Sequence, residues 1–167
     1  RPRRRRGSRQ GRQRAGAAVS SLPVIVAARR TPIGTAGRSL AARDAASLGG
    51  LAVAAAAADA AAFGLEPAEV VLGNCMGPGG DVARVASLAA GLPFSVPALT
   101  VDRQCASGLA AIAVASASLR SAPGLVIAGG VESVSTAAWR MWPPAEGGEP
   151  QRYERAPFAP TADLDPE

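Results

Sequence analysis

The sequence predicts an α/β fold, a mostly parallel sheet with helices on both faces, in a domain over residues 22–135. Short apolar runs of strand length alternate with longer alanine-rich stretches of helical period. Glycine or proline punctuates nearly every junction between them. Two of the helical stretches follow an aspartate, Asp44 and Asp81, whose carboxylate can accept from the free N–H groups of a first turn. Strands separated by helices are joined by right-handed crossovers, so neighbours run parallel and both sheet faces are covered.

Taken in order, residues 24–28 read as a short buried strand, and Arg29, Arg30, Thr31, Pro32 and Gly34 turn the chain away from it. A helix capped by Asp44 carries the stripe Leu48, Leu51, Ala55, Ala58 and Ala62 and stops at Gly64, with Pro67 beyond. Residues 70–74 form the second strand. Asp81 caps a short helix through Val82, Val85 and Leu88 that ends at Gly91 before Pro93. Residues 98–101 form the third strand. Cys105 then opens a helix with Leu109, Ile112, Ala113 and Leu119 on one face, closed at Arg120 by Pro123 and Gly124. Residues 125–128 are a fourth, fully apolar strand, and the order is β-α-β-α-β-α-β. Gly129 and Gly130 follow as a turn where chain or ligand passes closely. Residues 136–167, with Trp139, Trp142 and a run of prolines from Pro143 to Pro160, form an irregular loop region without a core of its own.

Composition sets further limits. Of the 167 residues, 48% are hydrophobic but only 4% aromatic, so the helices must approach closely instead of interlocking around large side chains. The net charge of +5 comes from a tail: eight arginines fall within residues 1–14, and the remaining ten face thirteen acids. Residues 1–21 are therefore expected to be disordered, as a non-native extension, an organellar presequence or a phosphate-binding arm, in that order. A nucleic-acid-binding protein built on that tail is the reading the charge alone would favour. The two cysteines do not make a disulfide framework, and no signal peptide or membrane-spanning run is evident. A soluble, reducing, cytoplasmic setting is the expectation, with no nucleic acid or membrane as partner. The count of zero histidines rules out a Ser-His or Cys-His pair made within these residues and removes the commonest metal ligand; no metal is expected.

The stretch from Val101 to Leu109 carries the chemistry. It reads as a strand end, a tight connection and a helix start, the place where open α/β sheets meet ligands. A thiol there is favoured as thiolate by the positive end of the helix, and adjacent N–H groups can hold the oxyanion of a thioester under attack. Ala106, Ser107 and Gly108 leave room for a substrate. On this local pattern Cys105 is either a nucleophile or a small buried core residue.

A resemblance decides between them. Val24-Ile25-Val26-Ala27-Ala28-Arg29-Arg30-Thr31-Pro32-Ile33-Gly34 resembles the opening strand and turn of thiolases, and Gly73-Asn74, Ala83-Arg84 and Ala90-Gly91-Leu92-Pro93 follow in that family's order. Arg103-Gln104-Cys105-Ala106-Ser107-Gly108-Leu109 resembles its nucleophile motif, and Ala128-Gly129-Gly130-Val131-Glu132-Ser133-Val134-Ser135 its Gly-Gly-Met-Glu-Ser-Met-Ser segment. The departures are Asp102 in place of Asn, Ala106 in place of Ser or Gly, and Val131 and Val134 in place of Met. Asp102 matters most, since a carboxylate facing a thiolate would raise its pKa.

The resemblance implies an acyl-CoA C-acyltransferase of lipid and fatty-acid metabolism that forms or cleaves 3-ketoacyl-CoA, with Cys105 as the acyl-thioester nucleophile. It implies coenzyme A and acyl-CoA as substrates, no separate cofactor, and a homodimer or homotetramer. It also implies a Gly-His-Pro histidine, a second cysteine as acid/base and an asparagine-held water in a C-terminal half, which these residues lack, so the chain alone is expected to be inactive. The half-domain's last strand is likewise expected to lie beyond them. Cys75 is read as a packed structural thiol, Glu132 as orienting the glycine-rich turn, and Arg103 as either steering CoA phosphates or solvated. The alternatives are a related decarboxylating condensing enzyme and a non-catalytic, partner-binding half.

Overall fold

The computed structural model describes residues 22–144 and 146–152, so the expectation of a disordered tail at residues 1–21 falls outside the described residues. Six elements make the α/β unit: α1 (Ala45–Ala61), β1 (Pro67–Gly73), α2 (Val82–Ala89), β2 (Ala98–Val101), α3 (Ser107–Ser121) and β3 (Leu125–Gly130). A single 3-10 turn (Val134–Thr136) and a short antiparallel pair, β4 (Met141–Trp142) with β5 (Gln151–Arg152), follow. Beside that pair the Arg152 guanidinium lies 3.9 Å from the centre of the exposed Trp139 ring.

The sheet is parallel, in the order β2-β1-β3, with Val70 opposite both Ala98 and Ile127. Alternation along β1 sends Val70 and Leu72 into a core with Val53, Ala83, Ala86 and Val96, on the side of α1 and α2. Val71 and Gly73 face the other way, and a side chain at Gly73 would collide with the main chain of Ser107 and Gly108 in α3. The helices thus cover both faces, as the sequence predicts.

The capping aspartates act as expected. Asp44 accepts from Ser47 N–H at 2.6 Å, and Asp81 from Arg84 N–H at 3.1 Å. Asp81 also accepts from Thr100 Oγ1, which in turn accepts from Ala83 N–H at 2.9 Å, tying the start of α2 to β2. Arg84 reaches the other way: it donates to Val96 O and Phe94 O and lies 5.6 Å from the Phe94 ring centre, fixing the loop that enters β2. Close helix approach through small residues is also borne out. A Cβ on Gly49 would lie 3.2 Å from the Ala86 Cβ, and one on Gly50 would lie 3.0 Å from the Ala89 Cβ.

Several sequence readings need correction. Residues 24–28 are not a buried strand: they pair with nothing, and Val24 and Ile25 are 77% and 84% exposed. A strand needs a neighbour for its N–H and C=O groups. Here the free edge of β3 is separated from residues 22–29 by a groove of about 760 Å³, walled by α1 and α3, and the segment is tied instead to α1 through Arg29 and Asp59 at 2.6 Å. The strand at 125–128 continues through Gly129 and Gly130, which belong to β3 and not to a turn. Helix faces also differ from the expected ones. Leu51 and Val85 are exposed, and the buried faces run through Ala45, Leu48, Gly49 and Val53 in α1 and Val82, Ala83, Ala86 and Ser87 in α2. In α3 Leu109 and Ala113 point to solvent, Ile112 and Leu119 line the groove beside β3, and Ser107, Ala111 and Ala115 meet the sheet.

Two stability outcomes follow from this packing. Gly73→Ala forces main chain apart and should cost roughly 3 kcal/mol or more, against about 1–3 kcal/mol for Gly130→Ala, whose Cβ would find Gly108 Cα at 3.1 Å. Ser87→Ala should instead stabilise by about 1 kcal/mol, because the Ser87 hydroxyl is fully buried with no hydrogen-bond partner among the described residues. Urea unfolding followed by circular dichroism checks both, and a Gly73→Ala chain as stable as the parent would contradict the packing.

Candidate active site at the carboxyl ends of β1 and β2

After β1 the chain leaves to α2 on one face of the sheet, and after the neighbouring β2 it leaves to α3 on the other. Such a reversal opens a crevice between the two strand ends, where open α/β sheets bind ligands. Cys75 follows β1 there and Cys105 follows β2.

Cys105 does not open α3. It sits in the turn before it, two residues ahead of Ser107, and is exposed. Gln104, just before it, is the only non-glycine residue with positive φ among those described, at 50°. The Asp102 carboxylate accepts from Gln104 N–H at 2.9 Å, so the departure from asparagine keeps an acceptor in use in the turn. The Ser107 hydroxyl accepts from Arg103 N–H at 2.8 Å and donates to Gln104 O at 2.6 Å. No side chain caps α3; the Ser107 N–H is taken up by Gln104 O at 3.0 Å and the Ala106 N–H by Arg103 O at 3.1 Å.

On the β1 side, the end of the strand is fastened by the segment after β3. Val131 N–H donates to Gly73 O at 3.0 Å, and Asn74 Nδ2 donates to Val131 O at 2.9 Å. Asn74 Oδ1 accepts from Gly77 N–H at 3.0 Å. Glu132 accepts from the N–H groups of Cys75, at 2.5 Å, and Met76, so it holds the segment after β1 and not a glycine-rich turn. Arg140 donates to Cys75 O at 2.8 Å. Ser133 and Ser135 extend the same seam, donating to Arg43 O at 2.7 Å and accepting from Gly37 N–H at 2.9 Å.

The two thiols differ. Burial first, then the hydrogen bond and charge of Glu132, then the charges of Asp102 and Cys105, push the Cys75 thiol up to about 11. Cys75 is half-buried, as a structural thiol should be, whereas Cys105 is open to solvent. Arg103 is exposed, and only its main chain enters the turn. Among the described residues no cluster of histidine, cysteine, aspartate or glutamate could hold a metal, and no helix is long and apolar enough to cross a membrane. Sequence reasoning passes over Arg140 and names Ser107 and Asn74 without their roles, because each acts through a main-chain partner far along the chain or in a turn whose shape no spacing announces.

A family model described as the thiolase N-terminal domain matches residues 23–151. The chain belongs to the thiolase family. Among curated relatives, proteins provisionally named acetyl-CoA C-acetyltransferase VraB are 50% identical to it. The one from Staphylococcus epidermidis matches over 95 residues, 54% of this chain and 25% of the relative, and the one from Staphylococcus aureus over 96 residues, 55% and 25%. The crystal structure of the Bacillus anthracis acetyl-CoA acetyltransferase superposes with a TM-score of 0.66 at 37% identity, covering 70% of this chain and 30% of that one. This thiolase chain therefore spans about a quarter of the length of the curated relatives it matches. The α/β fold and the family read from its motifs are both borne out.

Brief alkylation with iodoacetamide at about pH 8 should label Cys105 well before Cys75, since a thiol of pKa about 11 is only about one part in 10³ thiolate there. Cys75 labelling should then climb about tenfold per pH unit toward pH 11, and Glu132→Gln, by removing a negative neighbour, should bring its onset to lower pH. Peptide mapping reads both; equal early labelling of the two cysteines would contradict the assignment.

Proposed function

We propose that this thiolase-family chain supplies the nucleophile-bearing part of an acyl-CoA C-acyltransferase. The reading is carried by the placement of Cys105, an exposed thiol in a left-handed turn at the sheet's topological switch, directly before an uncapped helix. In the proposed reaction the Cys105 thiolate attacks the thioester carbonyl of an acyl-CoA, breaking the C–S bond to CoA, or the 3-keto carbonyl of a 3-ketoacyl-CoA, breaking the C2–C3 bond. Main-chain N–H groups beside the thiol, the Cys105 N–H first among them, hold the oxyanion, and the departing CoA thiolate or acetyl-CoA carbanion takes up a proton. The acyl group then passes from Cys105 to CoA, or to an acetyl-CoA carbanion in the synthetic direction.

Each proton transfer needs a placed acid or base, and these 167 residues contain no histidine. The chain by itself is therefore proposed to accept an acyl group without turning over. Its occurrence as a homodimer or homotetramer is part of the same proposal, and so is completion of the site by further protein. The exposed apolar residues Leu109, Ile112 and Ala113 on α3 support both, and they equally favour the alternative of a non-catalytic, partner-binding half.

Incubation with acetoacetyl-CoA separates the two readings. The nucleophile reading expects one acetyl group per chain, mapped to Cys105 and absent in Cys105→Ala, with further turnover below detection, since loss of the base alone costs about 10² to 10⁴ in rate. Acylation elsewhere, or none, favours the non-catalytic half. Sustained thiolysis by the chain alone would overturn the incomplete-site reading.

A further inference from the structure

We propose that Ser107 is a positioning residue for Cys105, holding the turn that carries the thiol in a conformation the turn's own sequence disfavours; its functional meaning rests on the nucleophile reading above. At φ 50°, Gln104 occupies the left-handed region, which side chains other than glycine avoid and which persists only where the surroundings impose it. Cys105 is the next residue, so a relaxation of Gln104 to negative φ would re-aim the thiol.

That conformation is held by three side-chain hydrogen bonds, two of them made by one hydroxyl, added to the main-chain bonds from Ser107 N–H to Gln104 O at 3.0 Å and from Ala106 N–H to Arg103 O at 3.1 Å. Ser107 Oγ accepts from Arg103 N–H at 2.8 Å and donates to Gln104 O at 2.6 Å, while Asp102 accepts from Gln104 N–H at 2.9 Å. The groups on either side of Gln104 are thereby held at once. Only a hydroxyl can donate and accept from a single atom in so small a space. Ser107 is 5% exposed, so water does not compete for those bonds.

Ser107 is itself immobile. Its main chain lies so close to Gly73 that no side chain fits between them, which refers the turn to the central strand of the sheet. The hydroxyl stands in the first turn of α3 but does not cap the helix: it faces back into the preceding turn, and no side chain caps α3. One residue thus braces the nucleophile's turn through its hydroxyl and, through its own N–H to Gln104 O, through its main chain as well.

The test compares the full chain with Ser107→Ala, Ser107→Ala/Gln104→Gly and Asp102→Ala, reading the rate of Cys105 alkylation by iodoacetamide from about pH 6 to 10 beside the melting curve. Ser107→Ala should slow Cys105 about tenfold, and adding Gln104→Gly, which adopts positive φ freely, should restore it to within about threefold of the parent. A residue that merely filled space would show no such rescue. Parental reactivity in Ser107→Ala, or a double variant no faster than the single one, overturns the proposal. If Ser107→Ala fails to fold, Asp102→Ala, altered at an exposed side chain, should show a smaller loss with the same rescue by Gln104→Gly, and absence of that pattern also overturns it. Should the alkylation pattern hold while acetoacetyl-CoA leaves Cys105 unmodified, the positioning role stands and the nucleophile reading falls.

Discussion

The arrangement depends on three glycines that let a helix end touch two strand ends. Gly73 at the end of β1 lies against the main chain of Ser107 and Gly108, and Gly130 at the end of β3 comes within van der Waals reach of Gly108. With side chains at these positions α3 would ride higher on the sheet, and the turn before it would no longer open at the switch between β1 and β2. Backbone packing against backbone is stiff, because no rotamer can change to absorb a displacement. The glycine contact therefore fixes where the first turn of α3 stands, and with it the place of Cys105.

The second organising feature is the segment that leaves β3. Val131 and Glu132 fasten the end of β1, Ser133 reaches Arg43, and Ser135 reaches Gly37. A stretch that reads in the sequence as a glycine-rich turn with one acid is thus a seam joining three parts of the chain around the crevice. Its carboxylate is occupied with main-chain N–H groups, which accounts for an acidic residue beside two cysteines without giving it a share in acid-base chemistry. With burial as the larger cause, its hydrogen bond and negative charge help keep Cys75 protonated beside the exposed thiol.

Much of the fold was legible in the sequence because its signals are local. Asp44 and Asp81 cap what they precede, Gly64 and Gly91 take positive φ after the helices they end, and residues 98–101 are a strand with the bounds the pattern predicts. The errors have a common cause. The strand expected at residues 24–28 depends on a neighbour that β3 does not provide, and the faces given to Leu51, Val85 and Leu109 assume that the largest apolar side chains point inward. In a chain this rich in alanine and glycine the buried faces are those that permit the closest approach, so size is a poor guide to direction. Of the site, Cys105 was legible through its motif, but Gln104's left-handed turn and Ser107's brace were not, because both arise from a single turn whose geometry no periodicity encodes.

The placement of the two tryptophans has a spectroscopic consequence. Trp139 and Trp142 both lie beyond β3, on and beside the β4–β5 pair, and Trp139 is covered by the Arg152 guanidinium instead of by the core. The α/β unit, residues 45–130, contains no tryptophan at all. Intrinsic indole emission therefore reports on the peripheral hairpin, and its shift on loosening would register the loss of a cation from the ring face while the sheet and the crevice remain intact.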